Sequence, residues 1–305
     1  MTNLPPWDSP SFDLEPWALH TGPFVRRAFL RSWWEHFGTG ERIHILDDGA
    51  TLIPLRHTGY ELSFMGEPDL TDYHSPLGSE ATELLTDFLR GPEAPDQVHF
   101  DSMPIEAATP LSKGLQNAGY QGGPVPHHST SVLALPNEYE EWLSGLERKQ
   151  RHEIRRKTRR FEESIGSIRL ERHQGLSAVQ DFVTLHRKSP GRKGLFMTDI
   201  MEAFFESLAS QEAAVVDLLY ERDEPIAAAF GFEEPDVYYL YNSAYDPERR
   251  HLSPGIVLVT SLVQQAIRSE KKSIDFLKGD ERYKTRFGAS PRILYEIRAT
   301  QKTTA

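Results

Sequence analysis

The same succession of helices and strands is predicted twice along the chain. Each half reads helix, strand, turn, strand, strand, helix, strand and helix, from hydrophobic residues at helical or alternating spacing. Strand pairs joined by tight turns and followed by a strand-helix-strand crossover are typical of a mixed sheet. The pattern predicts an α+β fold with two tandem domains, each a mixed, mostly antiparallel sheet flanked by helices.

The predicted elements place the domain boundary near a glycine- and proline-rich segment, residues 122–128, which we interpret as a hinge. The predicted helices cover residues 24–37, 81–90, 110–118, 139–164, 176–188, 199–210 and 256–269, with a short one from residue 280. The predicted strands cover residues 42–46, 51–55, 60–65, 97–102, 214–220, 226–232, 237–243, 273–277 and 293–300. We therefore expect domains over residues 1–125 and 126–305.

Composition excludes several classes of protein. The 305 residues include no cysteine, which excludes disulfides, thiolate metal sites and a cysteine nucleophile. The first ten residues, MTNLPPWDSP, lack the basic and apolar regions of a secretory signal. No apolar run approaches the roughly 20 residues that a membrane span needs. We expect a cytoplasmic protein without a membrane span.

Charge is concentrated in one predicted helix. The chain has a net charge of -11, but residues 148–160 hold eight Lys or Arg and one Glu, so this segment carries +7 and the remainder -18. The segment has three interpretations: a solvated face, a site for an anionic donor or acceptor at Arg151 and Arg155, or a contact with transfer RNA. The acidic remainder disfavours a long nucleic-acid footprint.

A strand-loop-helix junction lies at residues 238–256. Ser253-Pro254-Gly255 opens the helix, and such a start directs backbone N–H groups and the positive end of the helix dipole at an anion. Arg249 and Arg250 add positive charge to the preceding loop. The junction alone is more typical of a capped helix with solvated arginines than of a pyrophosphate site.

The junction resembles the acyl-CoA pyrophosphate loop of the GNAT superfamily, whose pattern is Q/R-x-x-G-x-G/A. Arg250-His251-Leu252-Ser253-Pro254-Gly255 matches this pattern with Ser253 in place of the first glycine. Residues 237–288 further resemble the FemAB-like and CelD-like branch, through Asp246-Pro247-Glu248, Ser253-Pro254-Gly255 and the block DFLKGDERYK over residues 275–284. The resemblance implies that acyl-CoA, such as acetyl-CoA, is held by Tyr241, Arg249, Arg250, His251, Ser253 and Gly255, without a metal.

The resemblance also implies chemical roles. Backbone groups of a splayed strand over residues 239–243 would polarise the acyl carbonyl. The carboxylate candidates are Asp275, Asp280 and Glu281; Tyr283 is the candidate proton donor, and Lys284 a candidate to hold an anionic group. Each has a structural alternative, because acidic residues favour helix starts and Asp275 is placed to cap a turn.

Weaker marks of the same branch occur in order elsewhere in the chain. They are Arg151 and Arg155 in the basic helix, His186 in the next helix, and Asp72 and Tyr73 in the first half. The resemblance implies that these five residues contact the acceptor substrate. The first half is interpreted as a degenerate copy of the fold.

The function implied is acyl transfer from an acyl thioester to an amine or hydroxyl of a sugar, a peptidoglycan precursor or another peptide-like acceptor, in cell-envelope or exopolysaccharide synthesis. Two alternatives stay open: an aminoacyl-tRNA-dependent peptidoglycan aminoacyltransferase of FemAB type, and a non-catalytic GNAT-like binding module. Motifs of serine hydrolases, P-loop proteins and zinc proteases are absent from the sequence. His127-His128 lacks carboxylates at metal-ligand spacing, so no metal site is predicted.

Overall fold

Two strands carry the chain from one folded unit into the other. A computed structural model describes residues 5–38, 40–58, 60–279 and 281–301. The first unit runs to Thr130 and also includes the chain from Arg292 onward, whereas the second unit is Ser131–Pro291. The segment expected to be a hinge, residues 122–128, lies largely within one of the two crossing strands, Pro124–Ala134.

The first unit contains a mixed sheet with helices. Its helices are α1 (Arg27–Trp33), α2 (Ala81–Leu89) and α3 (Ile105–Asn117). Its strands are β1 (Arg42–Asp47), β2 (Thr51–Thr58), β3 (Glu61–Phe64), β4 (Leu77–Gly78), β5 (Gln97–Met103), β6 (Tyr120–Gln121), the first part of β7 (Pro124–Ala134) and most of β13 (Ser290–Gln301). Strands β1, β2, β3, β5 and β13 are neighbours in that order, and only β3 and β5 are parallel.

The second unit repeats this architecture. Its helices are α4 (Tyr139–Gly145), α5 (Arg148–Ile165), α6 (Val179–Arg187), α7 (Arg192–Phe196), α8 (Asp199–Ala209), α9 (Pro254–Arg268) and α10 (Arg282–Arg286). Its strands are β8 (Arg169–His173), β9 (Ala214–Glu221), β10 (Glu224–Glu233), β11 (Val237–Tyr245) and β12 (Ser273–Lys278). They are neighbours in the order β12, β11, β10, β9 and β8, and only β11 and β12 are parallel. The predicted mixed, mostly antiparallel sheet flanked by helices is confirmed.

Helix α9 is held by its apolar face. Pro254 occupies its first turn, where the missing N–H of proline costs no hydrogen bond. Val257, Leu258 and Val263 are buried in the core of the second unit, and the helix packs on β10 and β11. Burial of each such side chain contributes roughly 1.5–3 kcal/mol, so the start of the helix is firmly positioned beside the end of β11.

A buried ion pair fixes the register of the sheet beneath this helix. Arg172 of β8 donates to both carboxylate oxygens of Asp217 on β9, at 2.8 and 3.0 Å, and Tyr238 of β11 donates its hydroxyl to the same carboxylate at 2.9 Å. Asp217 and Tyr238 are buried. Because a slip of one residue would turn each side chain to the other face of the sheet, it would leave this charge unpaired.

Several predicted elements differ from those observed. The helix predicted over residues 139–164 is two helices, because Leu146 and Glu147 have extended backbone after Gly145. The helix predicted over residues 24–37 is α1 flanked by a 3-10 turn and a π turn. Strand β8 was not predicted, since its sequence RLERH carries almost no apolar alternation and is held instead by ion pairs. None of the described helices combines the length and the apolar run that a bilayer crossing requires.

Candidate active site

Strands β11 and β12 pair briefly and then diverge. They are parallel and paired only over Val237–Tyr239 and Ser273–Asp275, although β11 continues to Tyr245 and β12 to Lys278. On its other side β11 has a bulge, because Phe230 pairs with Asn242 while Gly231 pairs with Leu240, which leaves Tyr241 as the extra residue. One edge of β11 is therefore unpaired with β12 beyond Tyr239, in the segment predicted to be splayed.

At the start of α9, one backbone N–H group has no acceptor among the described residues. Ser253 precedes the helix in a left-handed conformation, with φ 58° and ψ 46°, and no side chain caps the helix. The N–H groups of Ile256 and Val257 donate to the Ser253 carbonyl at 3.0 and 3.2 Å, whereas the Gly255 N–H has no acceptor within the described residues. A free N–H at the positive end of a fifteen-residue helix is suited to bind an anion.

This helix start opens into a cavity of about 470 Å³. Its walls include residues 253–256 at the start of α9, Ser243 and Tyr245 at the end of β11, and Glu281 and Tyr283 after β12. The cavity therefore joins the two places at which β11 and β12 end. Predicted site residues that it brings together are Arg250, Ser253, Gly255, Glu281 and Tyr283.

Within the described residues three cations also line the cavity, and the side chains of two of them have no hydrogen-bond or ion-pair partner. Lys157 of α5 pairs with Glu153 at 2.9 Å. The side chains of Arg250 and Lys193 make no hydrogen bond or ion pair with any described residue. Burial lowers the pKa of Lys193, opposed by the negative charge of Glu281, although much of this residue remains in contact with solvent.

Tyr283 places a protonated phenol in the cavity wall. Burial raises the pKa of its phenol, and the charge of Glu281 raises it further, so the hydroxyl is protonated at neutral pH. Its ring packs edge-on against Phe276 and Phe287, with centroids 5.9 and 6.4 Å apart. These aromatic contacts position the phenol without using its hydroxyl.

Lys284 was expected to hold an anionic group of a ligand, but its ammonium is already engaged by groups of the protein. Its side chain is buried, and its ammonium donates to the carbonyls of Leu277, Lys278 and Gly279 at 3.2, 2.6 and 3.3 Å. It also pairs with Glu281 at 2.9 Å. Lys284 does not line the cavity; it holds the turn after β12 and orients Glu281.

The turn after β12 requires a glycine at position 279. Gly279 has a φ of +114°, and a Cβ there would lie 2.3 Å from Glu281 Oε2 and 2.9 Å from Lys284 Nζ. Only glycine combines this backbone conformation with this close approach. Asp280, the third carboxylate candidate, lies outside the described residues.

Asp275 is placed inside the sheet and not at the cavity. It is buried, and its Oδ1 accepts a hydrogen bond from the Leu277 N–H at 2.8 Å. Leu277 has a φ of +59°, a strained conformation for a branched residue that this bond stabilises. A turn-capping role accounts for Asp275, and a direct role as base has no geometric support.

Three predicted donor-binding residues lie away from the cavity. Arg249 pairs with Glu221 and Glu224, which raises the pKa of its guanidinium. Tyr241 packs among the rings of Phe205 and Phe232, with centroids 5.7 and 5.6 Å apart. His251 is exposed, and none of the three is part of the cavity wall. Sequence could not separate Arg249 from Arg250, because adjacent residues in a loop face different neighbours only once the loop is folded.

His186 is buried behind β11. Its Nε2 lies 3.2 Å from Asn242 Oδ1, so the ring donates to the amide oxygen. Burial, assisted by the positive charge of Lys193, lowers the pKa of His186 to about 4, and the ring is therefore neutral at physiological pH. His186 does not line the cavity; it supports the unpaired part of β11.

Arg151 and Arg155, the predicted anion-binding pair of α5, are both engaged. Arg151 donates to the carbonyls of Ser144 and Leu146 at 2.7 and 3.2 Å, and Arg155 pairs with Glu140 at 3.1 Å. They share a second, open cavity of about 640 Å³ with Arg148, Lys149 and His152. Those three side chains have no partner within the described residues, so the free positive charge of this helix lies in its first turns.

Asp72 and Tyr73 are buried in the first unit. The Tyr73 hydroxyl is hydrogen-bonded to Thr130 Oγ1, and the guanidinium of Arg292 lies over its ring, 5.2 Å from the centroid. These contacts account for Tyr73 as a packing residue of its own unit.

In the described ranges, no group of three or more metal-ligating side chains is placed to hold an ion.

Sequence reasoning missed Lys193, Lys157 and Tyr245, all of which line the cavity, whereas Ser243 belongs to the segment predicted to be splayed. One feature of the sequence could have pointed to Lys193 as a site residue: it lies in the short segment Gly191-Arg192-Lys193-Gly194. Gly191 has a φ of +67°, and a Cβ on Gly194 would lie 2.2 Å from the Ser189 carbonyl oxygen. Two required glycines that flank a lysine indicate a built loop and not an arbitrary surface turn.

Comparison with known proteins addresses the fold. No curated protein matches the sequence. The structure resembles FemX, with 13% identity, a TM-score of 0.61 and coverage of 88% of this chain and 94% of that one. It also resembles L-PGS from Bacillus licheniformis, with 15% identity, a TM-score of 0.59 and coverage of 90% and 91%. A conserved protein from Bacteroides thetaiotaomicron matches at 13% identity, with a TM-score of 0.63 and coverage of 92% of each chain.

These likenesses establish a shared fold along most of the chain. A more local match covers less than half of it but contains the whole cavity wall. Residues 148–285, from the first turn of α5 to the second turn of α10, match the model of the acetyltransferase (GNAT) domain family.

Proposed function

We propose that the second unit is a GNAT-type acyltransferase that moves an acyl group from acyl-CoA, such as acetyl-CoA, to an amine or hydroxyl. One observation carries the proposal: the uncapped start of α9 shares a cavity with Glu281 and Tyr283, at the point where β11 and β12 diverge. The match of residues 148–285 to the acetyltransferase domain supports it.

The donor is held at its diphosphate. The free Gly255 N–H and the helix dipole attract one phosphate, and Arg250 supplies a charge-assisted contact from the loop before the helix. Gly255 contributes by its small size, since a Cβ there would approach the Tyr245 ring at 3.4 Å and narrow the cavity. The acyl arm then extends along the free edge of β11, as a chain that adds to a sheet edge.

The reaction follows from the groups at the other end of the cavity. The acceptor nitrogen or oxygen attacks the thioester carbonyl, the carbon–sulfur bond breaks, and the leaving thiolate takes the proton of the Tyr283 hydroxyl. Glu281, held by Lys284, orients the nucleophile and accepts its proton. Main-chain N–H groups of β11 are the candidate donors to the developing oxyanion.

Two neighbouring arginines provide the test. We expect CoA and acetyl-CoA to raise the melting temperature of the wild type. Arg250→Ala should weaken CoA binding about 10-fold, since it removes one charge-assisted contact worth about 1.5 kcal/mol. Arg249→Ala is the matched control, because Arg249 is paired with Glu221 outside the cavity, and it should bind CoA like the wild type.

The outcomes separate the alternatives. Absence of a CoA response in the wild type, or equal loss in both variants, would overturn the proposal. A response only to charged transfer RNA would favour the aminoacyl-tRNA-dependent alternative, for which the unpartnered Arg148, Lys149 and His152 provide a basic surface. Binding of CoA without transfer to any acceptor would favour the non-catalytic module.

The finer assignments extend this proposal. We propose a sugar or peptide-like acceptor, including a peptidoglycan precursor, and a role in cell-envelope or exopolysaccharide synthesis, on the resemblance of residues 275–284 to the FemAB-like and CelD-like branch. A cytoplasmic location agrees with an acyl-CoA donor. We interpret the first unit as a degenerate copy of the fold.

A further inference from the structure

The charges in the cavity do not balance. Four charged side chains line the cavity within the described residues, and of these Lys157 is compensated by Glu153 and Glu281 by Lys284. The side chains of Arg250 and Lys193 form no ion pair with any described residue, and the nearby charge of Glu281 is already paired with Lys284. Both side chains are exposed, and an anion bound between them would gain charge-assisted contacts, so the cavity wall favours anionic ligands.

The two cations are carried by different elements of the cavity wall. Arg250 lies beside the start of α9, where its carbonyl accepts the Ser253 N–H at 3.1 Å. Lys193 lines the cavity together with Glu281 and Tyr283, and Phe196 of its short helix packs on His186. Because the donor diphosphate is matched by Arg250 and the start of α9, Lys193 is the remaining cation of this wall without an ion-pair partner among the described residues.

Lys193 is also rigidly presented. The loop that carries it is tied by Arg187, which donates to the Met197 carbonyl at 3.0 Å and pairs with Asp199 and Glu202 at 3.0 and 2.7 Å. Phe196, on the same short helix, packs on the buried His186 ring at 5.6 Å between centroids. A lysine on a braced loop loses less entropy on binding than one on a free surface.

We propose that Lys193 is a specificity-determining residue that selects acceptors with a carboxylate close to their nucleophilic amine or hydroxyl. This inference rests on the proposed acyltransferase function. A single carboxylate matches the one uncompensated positive charge, whereas a phosphate monoester would bring nearly two negative charges next to Glu281. The neutral His186 ring adds no further positive charge.

Paired probes test the inference. Acetyl-CoA is the donor, and thiol release reports transfer. One pair is muramic acid and glucosamine, which differ by a carboxylated ether; the other is L-alanyl-L-alanine and its C-terminal amide. Wild type should favour the carboxylated member of each pair by about 10-fold in kcat/KM, the usual effect of one charge-assisted contact.

Lys193→Met should abolish that preference by raising KM for the carboxylated probes, with little change for the neutral ones. Arg192→Met is the matched control: Arg192 is exposed on the same helix, has no partner among the described residues and does not line the cavity. It should keep the wild-type preference. The CoA-induced rise in melting temperature should be unchanged in both variants, since Lys193 is assigned to the acceptor.

The outcomes are distinguishable. Failure of CoA to stabilise the wild type removes the proposed function itself. If CoA binds but the carboxylated probes gain no advantage, either in transfer or in added stabilisation of the CoA-saturated protein, only the Lys193 assignment is overturned. A stronger response to glucosamine 6-phosphate than to muramic acid would likewise overturn the choice of a carboxylate.

Discussion

The turns that follow β11 and β12 are built from similar residues but use them in opposite ways. The turn after β11 presents a free Gly255 N–H and an unpartnered Arg250 to the cavity. The turn after β12 binds the Lys284 ammonium with three carbonyls and one carboxylate. The turn after β11 leaves hydrogen-bond donors free to bind a ligand, whereas the polar groups of the turn after β12 are bonded to one another.

This difference teaches how to separate functional from structural groups in a dense polar block. Asp275, Glu281, Tyr283 and Lys284 lie within one short stretch, yet only Glu281 and Tyr283 reach the cavity. Asp275 and Lys284 are buried and bonded to the main chain. We therefore expect substitutions in the first pair to change chemistry and substitutions in the second pair to change stability.

The largest effect is expected from Lys284→Met. It removes the ammonium that binds the carbonyls of residues 277–279 and the carboxylate of Glu281, and we expect the loss of these bonds in a largely buried turn to cost about 3 kcal/mol. Urea unfolding measures this loss, with Arg282→Met as control, since Arg282 is exposed on the same helix and should change stability by less than about 0.5 kcal/mol. A variant of wild-type stability that has lost turnover would instead place the Lys284 ammonium in the chemistry.

A smaller effect, confined to turnover, is expected from Tyr283→Phe. Removal of a proton donor should lower kcat about 100-fold, while the melting temperature stays near that of the wild type because the aromatic packing is kept. Tyr139→Phe is the matched control: burial raises the pKa of Tyr139 to about 12, but this tyrosine lies outside the cavity wall. Equal kcat in wild type and Tyr283→Phe would remove Tyr283 from the site.

The smallest effect concerns Ser253, which stands where the family pattern has glycine. Its left-handed backbone strains a residue with a Cβ, and its Oγ accepts a hydrogen bond from Arg160 at 2.9 Å. Ser253→Gly should be more stable than Ser253→Ala by about 1 kcal/mol, because both lose the bond but only glycine relieves the strain. Both should still bind CoA through main-chain groups; loss of binding in either would make the Ser253 hydroxyl a ligand of the donor.

Local sequence signals predicted much of this molecule. The predicted strand over residues 237–243 and helix over residues 256–269 correspond to β11 and α9, because a long apolar stripe after Pro254 leaves few alternative structures. The cavity contains Arg250, Ser253, Gly255, Glu281 and Tyr283, all of which were predicted to be in the site. Lys193 was not predicted, because α7 precedes the site by some fifty residues and only packing brings the two together.

What the chain encodes locally is the identity of its elements, since periodicity, turn residues and the proline at the start of α9 act over a few neighbouring positions. Local sequence could not assign the hydrogen-bond partners of each polar side chain. Arg249 and Arg250 are adjacent and chemically identical, yet one pairs with Glu221 of β9 and the other faces the cavity. The difference arises only when β9, β11 and α9 have packed, because a charge contacts whatever distant residue the fold brings within reach.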